Sequence, residues 1–255
     1  MADTSIVSIQ LYTLRFLGDV DRALDAVAAA GYRHVETVGS HLEDPSTIKA
    51  KLDRRGLKVS SSHISLAALR ENPRAVVEAC RTLEFTQLFM PAVPVDQRQM
   101  DAAGWRALGR ELGDLSTRYR DDGIHLGYHN HNWELQPKDG AKTALELIFE
   151  EAQGTPLTWQ VDVAWLVRGR ADPKSWMNRY RNLVASAHVK DIAPEGQNLD
   201  QDGWADVGSG VLDWRDLWRA CRQAGAQWMV VEHDKPADPA ASARASYDYL
   251  AALKA

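Results

Sequence analysis

The segment Gly127–Glu134 (GYHNHNWE) contains two histidines, two asparagines, a tryptophan and a glutamate. It follows a short apolar run, Ile124–Leu126, that has the character of a β-strand. So many polar side chains at the end of a strand are typical of a metal site or an acid–base site, although a polar loop with incidental histidines has the same composition. The rest of the chain has to decide between these two interpretations.

Length and composition limit the possible folds and partners. With 255 residues, the chain has the length of a single α/β barrel, so we expect one domain over residues 1–255. Hydrophobic residues make up 45% and charged residues 25%, which argues against a disordered chain. The net charge of −5 is spread over segments of mixed sign, with 30 basic and 35 acidic residues, so we expect no nucleic-acid partner.

Nothing in the sequence indicates targeting to a membrane. The chain starts with MADTS, which lacks the basic and apolar parts of a signal peptide, and no run approaches the roughly 18 apolar residues of a spanning helix. We therefore predict a cytoplasmic protein without a membrane partner. Cys80 and Cys221 have no further cysteine at metal-like spacing and are predicted to be free, buried thiols. The composition is compatible with a homo-oligomer.

One unit, a strand followed by a helix and often a glycine, recurs along the whole chain. Asp19 is placed to cap the first helix, Val20–Ala30, and Gly31 to end it. Prolines at 45, 73, 173 and 239 suit first helical turns. Further helices are predicted near 45–55, 73–83, 96–119, 141–152, 172 onward, 213–224 and 239–253. The predicted strands are 5–11, 32–38, 57–64, 85–90, 124–130, 157–163, 184–189 and 227–232.

Eight strands that alternate with helices, without an intervening linker, predict an α/β fold that is a single (β/α)8 TIM barrel. A doubly wound open sheet is the alternative. It is disfavoured because no Gly-x-Gly-x-x-Gly follows the first strand. Gly208-Ser209-Gly210 is a weak signal for a phosphate loop. Active sites of TIM barrels lie at the carboxyl ends of the strands, so the residues at those ends decide the function.

The predicted strand ends concentrate residues capable of chemistry. Of the eight histidines, five lie at such ends: His63, His129, His131, His188 and His233. Side chains two residues apart share a face of a strand, so His129 and His131 can both point into the barrel mouth. One inward donor from each of the last four strands would converge there, which gives a candidate metal site formed by His129, Asp162, His188 and Glu232.

Several other residues at the strand ends have two interpretations. Glu36 and Asp191 suit a site, a helix cap or an ion pair, and Lys190 suits either substrate binding or pairing with an acid. Trp133 and Trp165 are either core aromatics or platforms for the C–H faces of a sugar. We predict substrate contacts from Gln10, Glu36, His63, Trp133 and Trp165.

Several sequence motifs resemble those of a known family. The segments that carry it are 9–15 (IQLYTLR), 31–36 (GYRHVE), 128–134 (YHNHNWE), 161–165 (VDVAW), 188–191 (HVKD), 208–214 (GSGVLDW) and 231–234 (VEHD). They resemble the sugar phosphate isomerase/epimerase family of the xylose-isomerase-like TIM-barrel superfamily, in its Tyr-His-Asn-His branch. The resemblance runs from the first strand to the last.

The resemblance implies a divalent metal held by Glu, Asp, His and Glu at the ends of strands five to eight. Asp162, His188 and Glu232 match three of these positions, whereas His129 replaces the glutamate. Either His129 binds the ion or Glu134 reaches back to it. An imidazole in place of a carboxylate favours Mn²⁺, with Co²⁺ or Zn²⁺ as alternatives, over Mg²⁺. His131 occupies the place of the base in related dehydratases.

The implied activity is that of a metal-dependent sugar isomerase or epimerase, which acts on a ketose, keto-sugar or related polyol. His131 or Glu232 would take a proton next to a carbonyl to give an enediolate, and Lys190 would act with them in catalysis. Loss of a β-hydroxyl would instead give dehydration, so a dehydratase of the inosose, keto-glycoside or dehydroshikimate type is the alternative. A non-catalytic sugar-binding barrel is an alternative from another class. A metal-dependent phosphodiesterase would need a basic groove, which the charge balance disfavours.

Overall fold

The computed structural model describes residues 3–253, so four terminal residues of the predicted domain lie outside the description. Eight parallel strands close into a barrel in which each strand pairs with the next along the chain and the first pairs with the last. The barrel strands are Val7–Gln10, His34–Val38, Lys58–His63, Gln87–Met90, His125–His129, Thr158–Asp162, Val184–Val189 and Trp228–Val231. This confirms the predicted (β/α)8 barrel.

The α-helices surround the barrel, and most of them begin at the aspartates and prolines expected from the sequence. They are Val20–Ala30, Pro45–Asp53, Leu66–Glu71, Pro73–Leu83, Ala102–Asp121, Ala144–Glu151, Val163–Arg168, Pro173–Arg179, Trp214–Ala224 and Pro239–Ala252. The side chain of Asp19 accepts a hydrogen bond from the backbone N–H of Arg22, which satisfies a donor that the first helix leaves free. Gly31 ends this helix with φ of 106°, a conformation that favours glycine.

Two predicted helices begin later than expected. The helix predicted from about 96 is a 3-10 helix, Val95–Gln99, followed by an α-helix that starts at Ala102 because the Asp101 side chain accepts from the backbone N–H of Gly104. The helix predicted from about 141 begins at Ala144, after a capping box between Thr143 and Glu146. A short antiparallel ribbon, Pro137–Asp139 with Lys142–Thr143, precedes it.

Shorter elements complete the described chain. The other 3-10 helices are Thr4–Ile6, Leu11–Leu17, Gly39–Leu42, Trp133–Leu135 and Leu199–Gln201. Asp191–Ile192 pairs antiparallel with Trp204–Ala205 in a second ribbon above the seventh barrel strand. Cys80 and Cys221 are free and buried, as predicted. Among residues 3–253, no helix combines the length and the apolar character needed to cross a bilayer.

Apolar packing joins the barrel to its helices, whereas the inside of the barrel is partly polar. Ile9 and Val35 of the strands belong to the same buried cluster as Leu24 of the first helix. Within the barrel, the hydroxyls of Ser8 and Ser60 lie 2.7 Å apart. A barrel lined by hydroxyl and amide groups can solvate buried charges at the strand ends.

The loop Gly208–Gly210 is organised by a carboxylate of the protein itself. Asp191 accepts hydrogen bonds from the backbone N–H groups of Ile192, Gly208, Gly210 and Leu212, at 2.8 to 3.2 Å. These N–H groups are therefore engaged, and the weak signal for a phosphate loop has a structural explanation. A Cβ atom on Gly210 would collide with the Asp191 carboxylate and with the carbonyl of Ile192.

We predict that Gly210→Ala destabilises the protein by about 2–3 kcal/mol, because the added methyl has to displace the buried carboxylate of Asp191. The neighbouring Ser209 is exposed, so Ser209→Ala is the matched control and should change the free energy of unfolding by less than about 0.5 kcal/mol. Urea denaturation of the two variants measures the difference. Equal stabilities would contradict this account of the loop.

Candidate active site

A cavity of about 1280 Å³ opens at the carboxyl ends of the barrel strands. Six of the predicted site residues line it: His63, His129, His131, Trp133, Trp165 and Glu232. The other five, Gln10, Glu36, Asp162, His188 and Lys190, are fully buried. The structure thus brings all the predicted positions to one end of the barrel and separates them into a cavity wall and a buried layer.

The four predicted metal ligands converge in this region. His188 Nδ1 lies 3.0 Å from Glu232 Oε2 and 3.9 Å from Asp162 Oδ2, which itself lies 3.9 Å from His129 Nε2. The helix Val163–Arg168 explains the direction of Asp162. Its Oδ1 caps that helix by accepting from Trp165 N at 2.8 Å, so Oδ2 is left to face the cluster.

Hydrogen bonds orient the imidazole of His129. Gln160 donates through Nε2 to Glu36 Oε2 at 2.6 Å, so its Oε1 faces the other way and accepts from His129 Nδ1 at 3.0 Å. His129 therefore carries its proton on Nδ1, and the lone pair of Nε2 faces Asp162. In metal sites, a hydrogen bond from one ring nitrogen commonly fixes the tautomer of a histidine so that the other nitrogen can bind the metal.

Glu36 lies at the centre of the buried layer. Its carboxylate accepts hydrogen bonds from Gln10, Ser61, Gln160 and His188 at 2.6 to 2.8 Å. Burial alone would raise the pKa of Glu36, but His63, His188 and these hydrogen bonds lower it to about 2. Neither Gln10 nor Glu36 lines the cavity. This placement disfavours the substrate contacts predicted for these two residues, and we propose that they position the groups around them.

His188 bridges two carboxylates. Its Nε2 donates to Glu36 Oε1 at 2.7 Å, and its Nδ1 faces Glu232. Burial lowers the pKa of His188, but the charges of Glu36 and Glu232 outweigh this effect and raise the pKa to about 10. The imidazole is consequently protonated at neutral pH in this structure.

Lys190 places a positive charge among three carboxylates. Its Nζ lies 2.8 Å from Glu232 Oε2, 2.9 Å from Asp234 Oδ2 and 3.2 Å from Asp162 Oδ2. Although burial lowers the pKa of Lys190, these charges raise it above the ordinary lysine value. The pKa of Glu232 is raised by burial but lowered further by Lys190 and His188, so its net pKa is well below the ordinary value. Lys190 is therefore a fixed cation, and Glu232 is a weak base.

His131 is held by the turn that follows the fifth barrel strand. Its ring stacks on Trp133, with 4.0 Å between centroids, while the guanidinium carbon of Arg98 lies 3.7 Å from the indole centroid. Two groups this close occupy opposite faces of Trp133, so the indole is sandwiched. Its faces are not free for a sugar, and we assign it the positioning of His131. Burial and the charge of Lys190 lower the pKa of His131 well below the ordinary value, which keeps the imidazole neutral.

Glu134 does not join the cluster. Its carboxylate accepts from the Tyr128 hydroxyl at 2.7 Å and from the backbone N–H of His131 at 2.9 Å, and the side chain is fully buried. Burial raises the pKa of Glu134 to about 7. Of the two alternatives for the ligand after the fifth strand, this geometry favours His129, since Glu134 holds the turn that presents His131.

Sequence reasoning missed several cavity residues, among them two arginines that pack on aromatic rings, Arg98 and Arg168. The guanidinium of Arg168 lies 3.1 Å from the Trp204 ring, which meets Trp165 edge to face at 4.8 Å. Arg98 belongs to a 3-10 helix between elements, and Arg168 ends a short helix, so neither stands at a strand end. No local signal distinguishes these arginines from others on the surface of the protein.

The donor set fits a divalent cation. Ligand atoms about 2.1 Å from a shared ion lie about 3–3.5 Å apart, and the observed separations of 3.0 and 3.9 Å are close to this range. Asp162 Oδ2 is buried and makes no hydrogen bond of good geometry, and the ammonium of Lys190 lies 3.2 Å away, so this oxygen already lies where a positive charge is stabilised. Asp162, His188 and Glu232 form one group near enough to share an ion, and His63, His129 and His188 form another. Imidazole and carboxylate together suit Mn²⁺, Co²⁺ or Zn²⁺.

Comparison with known proteins gives this arrangement a family context. Residues 24–253 match the family model described as the xylose isomerase-like TIM barrel. An inosose dehydratase of Lacticaseibacillus casei is 26% identical over 86% of this chain and 83% of that protein. A rhizopine catabolism protein of Rhizobium meliloti is 22% identical, over 92% of this chain and 82% of its own length.

Solved structures share the fold. A sugar phosphate isomerase/epimerase of Parabacteroides distasonis superimposes with a TM-score of 0.77 at 22% identity, covering 97% of this chain and 95% of that one. A 3-keto-D-glucoside 4-epimerase of E. coli gives a TM-score of 0.67 at 16% identity, covering 96% and 98%. With the family model matched over nearly the whole barrel, the chain belongs to the xylose isomerase-like TIM-barrel family of enzymes.

Proposed function

We propose that this protein is a divalent-metal-dependent isomerase or epimerase of a small keto-sugar or ketopolyol, which acts through an enediolate. The observation that carries the proposal is the convergence of buried donors at Asp162 Oδ2, which lies 3.9 Å from both His129 Nε2 and His188 Nδ1 and pairs with the ammonium of Lys190 at 3.2 Å. A neutral imidazole, His131, lines the same cavity. Metal ligands and a base at one strand-end cavity are what proton abstraction next to a carbonyl requires.

The charge state of each residue indicates its proposed role in the reaction. His129, Asp162, His188 and Glu232 would hold Mn²⁺, Co²⁺ or Zn²⁺, and the bound ion would polarise the substrate carbonyl as a Lewis acid. His131 takes the proton from the adjacent carbon, and the electrons of that C–H bond move to the carbonyl oxygen. We assign the proton to Nε2, because Nδ1 of His131 is buried. Lys190 is fully buried and remains a cation, so it would favour the developing negative charge through its electrostatic field, without contacting the substrate.

Where the proton returns decides the product. Return from His131 to the neighbouring carbon gives an isomer, whereas an epimer would require a second acid to protonate the original carbon on the face opposite to His131. Glu232 is less suited to take the first proton because its Oε2 already contacts Lys190 and His188. These contacts support His131 over Glu232 as the base, the two candidates that the sequence offered.

Dehydration is the second candidate. It is favoured by the curated relatives, since the Lacticaseibacillus casei protein and two further relatives, at 22% and 19% identity, are inosose dehydratases. The same enediolate would then lose a β-hydroxyl group, which leaves as water with a proton from the protein. A non-catalytic sugar-binding barrel is disfavoured because the candidate base and all four candidate ligands are present together.

The first test is hydrogen exchange. The purified protein, supplied with Mn²⁺ in D₂O, should exchange α-hydrogens of at least one ketose or keto-inositol, as measured by NMR. We expect His131→Asn to lower the exchange rate by about 10²- to 10⁴-fold, because the general base is removed. His125→Asn is the matched control, since His125 begins the same strand at the opposite end of the barrel. It should leave exchange unchanged.

The mass of the product distinguishes isomerisation or epimerisation from dehydration. An isomer or epimer retains the mass of the substrate, whereas a dehydrated product loses one water and forms a conjugated carbonyl that absorbs in the ultraviolet. Absence of both exchange and dehydration across ketoses, keto-inositols and keto-glycosides would contradict the proposed function. Full activity of His131→Asn would contradict the assignment of the base.

The second test concerns protons released when a metal binds. His188 has a pKa of about 10 in this structure, so it must lose its proton before Nδ1 can bind an ion. We expect about one proton to be released per Mn²⁺ at pH 7, and the affinity to rise with pH up to about 10. Calorimetry in buffers of different ionisation enthalpy measures this number.

Glu36→Gln tests the origin of that proton. Replacing the carboxylate by an amide removes one of the two charges that raise the pKa of His188, so fewer protons should be released at a given pH. Lys142→Gln, remote from the site and half exposed, is a control that should release the same number as the unaltered protein. Metal binding without any proton release at pH 7 would contradict the assignment of His188 as a ligand.

A further inference from the structure

The cavity has two chemically different sides. The loops after the fifth to eighth barrel strands supply the reactive side, with His129, His131, Trp165, Glu232 and Asp234. The loops after the first four strands supply a side that we call the apolar side, defined by Phe16, Leu42, Ile64, Ala68, Val76 and Pro91. Because the first four strands are neighbours in the barrel, these residues form one continuous wall opposite the candidate metal ligands.

The cavity is larger than a single sugar ring needs. Its volume of about 1280 Å³ exceeds the roughly 300–1,000 Å³ typical of pockets for drug-sized ligands. A monosaccharide bound at the reactive side would therefore leave the apolar side unfilled. Both sides open into one cavity, so an occupant of the apolar side is most simply a part of the same substrate.

The apolar side offers little to sugar hydroxyls. Ser40, Glu43 and Asn72 also line this part of the cavity, but they are exposed, and the hydroxyl of Ser65 caps the helix Leu66–Glu71. Two further polar residues here, His63 and Arg98, already have partners: His63 Nε2 lies 2.7 Å from Gln160 Oε1, and the guanidinium of Arg98 packs on Trp133. A second sugar ring would have to desolvate hydroxyls against Leu42 and Ile64 without enough partners, which is unfavourable. An apolar group would instead gain from burial.

Two aromatic side chains at the rim of the cavity also favour an apolar ligand. Phe16 is 61% exposed and Tyr12 is 43% exposed, and both line the cavity. The guanidinium of Arg15 lies 3.6 Å from the Tyr12 centroid and 4.1 Å from the Phe16 centroid, so it packs against both rings. Large exposed aromatics beside a cavity are typical of a binding surface.

We propose that the substrate is a glycoside, with its sugar ring at the reactive side and an aromatic or otherwise apolar aglycone against the apolar side. The proposal rests on the proposed function for the placement of the sugar ring. The aglycone subsite itself rests on the lining and volume of the cavity. It names a substrate class larger and more apolar than a free monosaccharide.

Binding of unreactive probes tests this proposal without turnover. Phenyl and methyl D-glucosides lack a ketone, so calorimetry or ligand-observed NMR reports binding alone. We expect the phenyl glucoside to bind at least about tenfold more tightly than the methyl glucoside of the same anomer, because the ring buries apolar area. Ala68→Phe fills the apolar side and should bring this ratio close to one.

Ala67→Phe is the matched control. Ala67 precedes Ala68 on the same short helix but is exposed and does not line the cavity. The added ring should therefore leave the preference for the phenyl glucoside unchanged. Circular dichroism of both variants establishes that they are folded to the same extent before their affinities are compared.

The outcomes separate this proposal from the proposed function. Preference for the phenyl glucoside that Ala68→Phe abolishes supports the subsite, even if no sugar exchanges hydrogen. Equal affinity for the two glucosides, or a preference that survives Ala68→Phe, overturns it, even if free sugars are exchanged rapidly. A stable dimer that Phe16→Ser dissociates would show that a second copy covers the apolar side, and would also overturn the proposal.

Discussion

The buried carboxylate of Glu36 is the interaction on which the arrangement of the site depends. It lies in the middle of the second barrel strand, His34–Val38, and accepts hydrogen bonds from groups on the first, third, sixth and seventh strands. A buried ionised carboxylate is tolerated only where donors surround it, so the strands are tied to one another through this group. Because Gln160 has to donate to Glu36, its carbonyl has to face His129, and the tautomer of His129 follows. The direction of His188 follows from the same carboxylate.

Charge balance explains why so many ionised groups share one end of the barrel. Glu36, Asp162 and Glu232 are fully or nearly fully buried, and so are Lys190 and His188. The ammonium of Lys190 contacts Asp162, Glu232 and Asp234, while His188 lies between Glu36 and Glu232. Removing one member would leave an uncompensated buried charge, which costs far more than the net contribution of the pair. The net contribution of such a cluster to stability is small, which is consistent with the role proposed for these groups in a functional site.

The cavity combines this charged region with a chemically different wall. The proposed proton abstraction would need a neutral base, a fixed cation and an oxygen-binding centre close together, and the candidates for all three lie at the ends of the last four barrel strands. The loops after the first four strands contribute mainly apolar side chains. Such a division lets the loops on one side vary in substrate preference while the chemistry on the other side is retained, since function on this fold is carried by the loops at the strand ends.

The sequence by itself determined the barrel, because the strand–helix alternation, the aspartate caps and the prolines at first turns are local signals. It also determined which side chains gather at the strand ends, since parallel strands in a barrel all end on the same side. Only the tertiary structure decided what these side chains do. Glu36 is buried among donors from neighbouring strands and from strands across the barrel, and Gln10 donates to it from the adjacent strand. The two faces of Trp133 are covered by His131 and Arg98. Glu134 does not contact the candidate metal ligands; its carboxylate accepts hydrogen bonds from Tyr128 and from the backbone of His131. In Gly127–Glu134, the residue types predicted a site. The separate roles proposed for His129, His131, Trp133 and Glu134 depend on hydrogen-bond partners and packing that the local sequence does not encode.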